Sequence, residues 1–251
     1  MTKLGFIGTG HLAGFFVEGL KRANADYEIM VSPRNAAKAR DLQQRFGVTI
    51  AGNQDIAEAC DLVVVSLLPP QAPDVLDGLS FHPGQTVLSV MAGIGLHDMQ
   101  QMVAPAQAAI SMMPGLANAH NVGPSALHPD NAMAFDLLSA LGPVHVYDDG
   151  KAYVAASVVG AFSGMSVLML RDAMNWFASH GLDPADARRL VAETLRGNAT
   201  MLMESELAID DVARGVVTPG GITEQGRKIL DAGGSWQQAL DSVFQRISTR
   251  Y

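Results

Sequence analysis

The chain has 251 residues and a formal net charge of −8, so it can bury one large core or two smaller ones. It offers no cationic footprint for nucleic acid or an anionic membrane surface. Its single cysteine, Cys60, excludes an internal disulfide framework, fits a reducing compartment and reads as a small apolar residue ahead of a strand.

The first predicted element is a strand, because Leu4 to Ile7 is a short apolar run that opens almost at once after Met1-Thr2-Lys3. That start leaves no room for a secretion signal, and a cytoplasmic location is expected. The strand ends in Gly8-Thr9-Gly10-His11-Leu12-Ala13, where Gly8, Gly10 and Ala13 stand at the spacing of a dinucleotide fingerprint. Gly8 permits the turn, Gly10 lets a pyrophosphate approach the backbone, and Ala13 allows close helix–strand packing. The N–H groups of His11 and Leu12 then open a helix toward the phosphates.

Leu12, Phe15, Phe16, Gly19 and Leu20 repeat at helical spacing, and a second strand covers Glu28 to Val31. After it comes Ser32-Pro33-Arg34-Asn35, where an NAD site would carry an acidic residue for the ribose hydroxyls. A hydroxyl, a guanidinium and an amide suit the 2′-phosphate of NADP instead; the competing reading is that Asn35 caps the next helix and Arg34 is merely solvated. A helix follows over Ala36 to Phe46, a short strand over Val48 to Ile50, and a helical turn or two over Asp55 to Cys60.

Leu62 to Leu68 is an unbroken apolar run of the kind buried on both faces of a parallel sheet, ended by Pro69-Pro70. Strand ends on this edge border the ligand crevice, so Ser66, Leu67, Leu68 and Pro69 are expected beside the cofactor, as are Ala92 and Gly93 after the strand Thr86 to Val90. Further strands are expected over Ala109 to Met113 and His145 to Tyr147. Strands alternating with helices make residues 1–150 a Rossmann-type, doubly wound α/β domain.

Beyond Gly150 the pattern is helical, which makes residues 151–251 an all-α domain. Ala152 to Leu170 lacks any charge and carries Gly160 and Gly164. Its length would suit a membrane span, but Ser157, Ser163 and Ser166 interrupt it and no basic cluster flanks it. The expectation is a helix buried all round, in its own core and against a second copy of the chain. Asp183-Pro184 starts the next helix, with an apolar stripe of Ala187, Leu190, Val191, Leu195 and Leu202. Val217 to Thr223 then places Pro219-Gly220-Gly221 before a hydroxyl at a helix start, a backbone N–H concavity suited to a carboxylate. Ser235 caps a last helix from Trp236 to about Ser248. The histidines show no ligand spacing, and no metal is expected.

Taken together, the glycine fingerprint, Ser32 to Asn35, the Pro69 turn, Val87 to Gly93, Met113-Pro114, Ala140-Leu141-Gly142 and Thr218-Pro219-Gly220-Gly221-Ile222-Thr223 resemble, in order, the pyrroline-5-carboxylate reductase family. The resemblance spans nearly the whole chain and is most specific at the last motif. It implies a Rossmann domain, a helical dimerisation domain forming a homodimer, NADPH as hydride donor, and reduction of the cyclic imine to proline. It also implies that Gly220, Gly221 and Thr223 hold the substrate, with Thr223 at the reacting end.

Several ligand-contacting positions depart from the family pattern. Leu68 replaces a lysine, Ser111-Met112-Met113-Pro114-Gly115 replaces Arg-x-Met-Pro-Asn, and Gly160 to Met165 replaces Gly-Ser-Gly-Pro-Ala-Tyr. A divergent member with a more apolar pocket and a related cyclic imine as substrate is therefore expected. The other two readings are a catalytically silent NADP-binding protein and a hydroxyacid-type dehydrogenase. The absence of lysine between Lys151 and Lys228 argues against the dehydrogenase.

Overall fold

The computed structural model describes residues 1–249, and the chain divides into two compact units between Gly164 and Met165. The range 151–251 expected for the helical domain therefore includes two residues, 250 and 251, outside those described. The first unit is built on strands β1 (Thr2–Ile7), β2 (Tyr27–Val31), β3 (Thr49–Ile50), β4 (Leu62–Val65), β5 (Thr86–Ser89), β6 (Gln107–Met112), β7 (Ser125–His128) and β8 (Val144–Val146). They form one sheet in the order β3-β2-β1-β4-β5-β6-β7-β8. The first six are parallel in the doubly wound order; β7 runs antiparallel to β6, and β8 is parallel to β7.

Helices α1 (His11–Arg22), α2 (Ala36–Phe46), α3 (Asn53–Ala59), α4 (Ala72–Leu76), α5 (Leu96–Val103) and α6 (Ala132–Ser139) cover the sheet, with a 3-10 turn at Pro69–Gln71. The period-2 alternation of the strands divides the core into two layers. Leu4, Phe6, Leu62, Val64 and Leu88 pack with Phe16, Leu20, Leu42 and Leu137 on one face. Ile7, Val63, Val65 and Val87 pack with Ile56 and Met99 on the other. All four residues of β4 are buried, as its continuous β-branched run requires.

Two expectations for this unit are corrected. The fourth strand stops at Val65, not Leu68: the Ser66 hydroxyl turns to donate to Gly8 O (2.6 Å), and the chain leaves the ladder so that Leu68 is 67% exposed. The strand β7 was not expected, since Ser-Ala-Leu-His is short and lacks a clear alternation.

Helices α7 (Gly150–Ser157) and α8 (Val159–Ser179) replace the single helix expected from Ala152 to Leu170. Tyr153 anchors α7 by stacking on His128, and burial pushes its hydroxyl pKa up to about 12. Most of the apolar stretch is not buried within the chain: Val154 is 65%, Phe162 63% and Met165 58% exposed. The expectation of burial all round therefore does not hold within one copy.

The second unit holds the rest of α8 with α9 (Pro184–Glu204), α10 (Ile209–Gly215), α11 (Ile222–Asp231) and α12 (Trp236–Ser248). Asp183 caps α9 by accepting from Ala185 N at 2.8 Å. Of its expected stripe, Ala187 and Val191 are buried while Leu190 and Leu202 are exposed. Helices α11 and α12 form an antiparallel pair in which the bare face of Gly226 lies against Ala239 and Val243, with a Ser235–Gln238 capping box at the turn. Trp176 ties α8 to α12 by donating to Asp241 Oδ1 at 2.7 Å.

Candidate active site

The glycine turn is shaped by the ends of β2 and β4. Gly8 has φ +103°, and a Cβ there would stand 2.5 Å from Ser66 O, so glycine is required twice over. Its N–H donates to Ser32 Oγ at 3.0 Å, while Thr9 Oγ1 donates to Ser32 O at 2.6 Å. A Cβ at Gly10 would meet nothing within 4 Å, which leaves the approach to the backbone open. Gly10 supplies no side-chain cap to α1, and the exposed His11, the half-buried Leu12 and the buried Ala13 form its first turn. Their N–H groups are the orphan donors of a helix start and fit a pyrophosphate.

At the end of β2 the side chains divide. Ser32 is 2% exposed and holds the glycine turn, so its hydroxyl is a positioning group. Asn35 caps α2 by accepting from Lys38 N at 3.3 Å. Arg34 is exposed and donates from Nη1 to Gln71 Oε1 at 3.0 Å, so it is tethered, not simply solvated. That bond brings the end of β2 to the 3-10 turn after β4. Leu67, Leu68 and Pro69 lead into that turn, and Ala92 and Gly93 lie exposed beyond β5. Pro69 and Gly93 share a cleft of about 510 Å³ with Pro73, Ile94, Asp98, Gln101 and Met102. Most of the expected cofactor residues thus lie along one edge of the first unit.

In the second unit, Gly220 has φ +72° in the turn that leads to α11. The turn is locked from several sides. Gly221 N–H donates to Thr218 O (2.8 Å), and Gly220 N–H donates to Glu224 Oε2 (2.9 Å). Arg246 on α12 donates to Gly220 O (2.6 Å), Gly221 O (3.3 Å) and Gln225 Oε1 (3.2 Å). The expected concavity is thereby corrected: both glycine N–H groups are engaged within the loop. The donors left to a ligand are the first-turn N–H groups of α11, which has no side-chain cap, and the exposed Thr223 hydroxyl.

The altered segments also have a definite geometry. Ser111 is buried in β6, and its hydroxyl has no hydrogen-bond partner among the described residues. Gly160 lets α8 begin against Met112 and Met113, since a Cβ there would be 3.1 Å from Met112 Sδ. Asn118, buried, donates to Gly123 O and accepts from Gly115 N, fixing the chain after Pro114. Sequence reading missed the roles of Thr9, Gln71, Asn118, Glu224 and Arg246. Only Glu224 carried a local signal, its spacing of four from Lys228.

A glycine turn on the ligand edge of a doubly wound sheet, followed by an all-helical unit, defines a dinucleotide-binding protein of the Rossmann class with a separate helical module. Comparison with known proteins narrows the class. Residues 3–93 match the family model described as NADP oxidoreductase coenzyme F420-dependent, and residues 151–251 match pyrroline-5-carboxylate reductase dimerisation. Pyrroline-5-carboxylate reductase 1 of Bacillus subtilis is 26% identical over 99% of this chain and 88% of its own length. A pyrroline-5-carboxylate reductase structure from Streptococcus pyogenes superposes with TM-score 0.82 at 22% identity, covering 99% of this chain and 97% of that one. The Plasmodium falciparum pyrroline carboxylate reductase with NADP bound gives 0.81 at 18% identity, covering 98% and 96%. The dimerisation match over residues 151–251 and these full-length relatives support a member of the pyrroline-5-carboxylate reductase family.

Proposed function

We propose that the protein reduces a small cyclic imine with hydride from NADPH, converting pyrroline-5-carboxylate to proline or reducing a related imine. The observation that carries this reading is the rigid Pro219-Gly220-Gly221-Ile222-Thr223 turn at the start of α11, in a chain that also keeps an open glycine turn at Gly8 to Gly10. When bound, NADPH supplies the hydride. Gly8, Gly10 and the first-turn N–H groups of His11, Leu12 and Ala13 hold its pyrophosphate. Arg34 takes the 2′-phosphate, with Asn35 and Ser32 shaping the bend beneath it. Ser66 to Pro69 and Ala92-Gly93 border the nicotinamide half. Gly220 and Gly221 shape the turn, and Thr223 with the first-turn N–H groups of α11 positions the substrate, the Thr223 hydroxyl at its reacting end. A protonated imine accepts hydride without a strong general acid, so holding the two reactants in register supplies most of the catalysis.

The working form in this reading is a cytoplasmic homodimer of a 1–150 cofactor domain and a 151–251 dimerisation and substrate domain. The segment Gly150–Ser179 is long and apolar enough to cross a membrane, and its exposed face needs cover. The match of residues 151–251 to a dimerisation model favours a second copy as that cover. NADPH oxidation measured against pyrroline-5-carboxylate, piperideine carboxylates, carboxyl-free cyclic imines and simple keto acids tests the function. Oxidation with imines alone is expected, and Thr223→Ala should lower it. NADPH binding with no imine turnover would favour a silent cofactor-binding protein, and keto-acid turnover a hydroxyacid-type dehydrogenase.

A further inference from the structure

Arginines at the two ends of α2 are partnered differently. Arg45, in its last turn, is paired with Asp41 at 3.1 Å and with Glu18 at 3.0 Å. Arg34, one residue before the Asn35 cap, pairs with no carboxylate among the described residues. Its partner is the neutral amide of Gln71, whose Oε1 accepts from Arg34 Nη1 at 3.0 Å. A carboxylate in that place would cancel the charge, and a hydrocarbon would leave the long side chain to sweep through solvent. The amide does neither: it fixes the guanidinium, keeps its full charge and leaves four N–H donors open.

Gln71 is built to hold a partner still. It closes the 3-10 turn Pro69–Gln71, in which two prolines fix their φ angles, and its N–H donates to Leu68 O at 2.9 Å. Ala72, next in the chain, is fully buried and donates its N–H to Pro69 O. With its backbone anchored and its side chain half-buried, Gln71 gives up little further freedom in gripping the exposed Arg34. No acid in the first turn of α2 competes for the charge.

We infer that Gln71 is a positioning residue that sets cofactor specificity: it holds Arg34, charged and already in place, where the 2′-phosphate of NADPH arrives. This inference rests on the reading above in which Arg34 takes that phosphate. Fluorescence titration with NADPH and NADH, which needs no turnover, tests it on the full chain in wild type, Gln71→Glu, Gln71→Met, Arg34→Ala and the double variant Arg34→Ala with Gln71→Met. Gln71→Glu gives Arg34 a charged partner and should lower the NADPH-to-NADH affinity ratio by about tenfold or more, the scale of a hydrogen bond to a charged group. Gln71→Met keeps the length of the side chain without its acceptor and should lower the ratio by about fivefold, less than Arg34→Ala does. In the Arg34→Ala background Gln71→Met should change the ratio no further, because the two side chains act as one unit. A merely structural role for Gln71 would weaken both cofactors alike and leave the ratio at its wild-type value. That result, with the ratio still falling in Arg34→Ala, overturns the inference alone, as does a full additional loss in the double variant. A ratio unchanged in Arg34→Ala removes the phosphate reading of Arg34 and the inference with it.

Discussion

Arg34 and Gly8 carry the cofactor argument at the scale of single residues. Arg34 is held toward the 3-10 turn by Gln71, a geometry that costs little to redirect onto a phosphate because the guanidinium keeps four further donors. Arg34→Ala should weaken NADPH binding by about 1.5–3 kcal/mol while leaving NADH nearly unchanged. Fluorescence titration with both cofactors checks this, and equal weakening would contradict it. Gly8→Ala must place a Cβ on Ser66 O at positive φ, a strain of about 1–3 kcal/mol that thermal unfolding would register. Cys60 is buried, and burial first, then the charge of Asp61, raises its thiol pKa to about 11. The folded protein should therefore resist alkylation at neutral pH and react on unfolding. The roles of Gly8 and Cys60 follow from local chemistry and could be read in the sequence. The role of Ser32 could not, because its partners Gly8 and Thr9 reach it only once β1 and β2 are paired.

Elements fail and succeed for a different reason. Helix limits set by local caps were legible: Asn35, Asp183 and Ser235 each accept a first-turn N–H where their side chains predict it. Strand ends set by partners were not, and β4 stops where Ser66 is drawn to Gly8. The strand β7 exists through its ladders to β6 and β8, contacts that a four-residue segment does not announce. The Pro-Gly-Gly turn belongs to both groups. Its glycines were legible, but its lock, Arg246, lies 25 residues from Gly221. Arg246→Ala should loosen the turn and raise KM several-fold, with a loss of about 1–2 kcal/mol in stability. Arg246→Lys should restore little, because one ammonium cannot span both carbonyls as the fork does. Unchanged KM in both variants would show that the turn holds its shape without α12.

For the whole molecule, the central physical fact is an apolar face on α7 and α8 that one chain leaves exposed. Composition made that stretch conspicuous in the sequence, yet periodicity could not say whether its own core or another copy covers it. A Cβ at Gly164 would meet nothing within 4 Å, so Gly164→Glu should leave the isolated fold intact while placing an unpaired charge in the expected contact. Sedimentation should show dimers for wild type and monomers for the variant, and a monomeric wild type would refute the dimer. The proposed activity is hydride transfer to an imine carbon. It is tested most directly by supplying NADPH deuterated at the transferred C4 position together with a cyclic imine, and reading the product by mass spectrometry. One deuterium on the former imine carbon of the amine product is the predicted result. An unlabelled amine, or no amine formed by protein that still binds NADPH, would contradict the account.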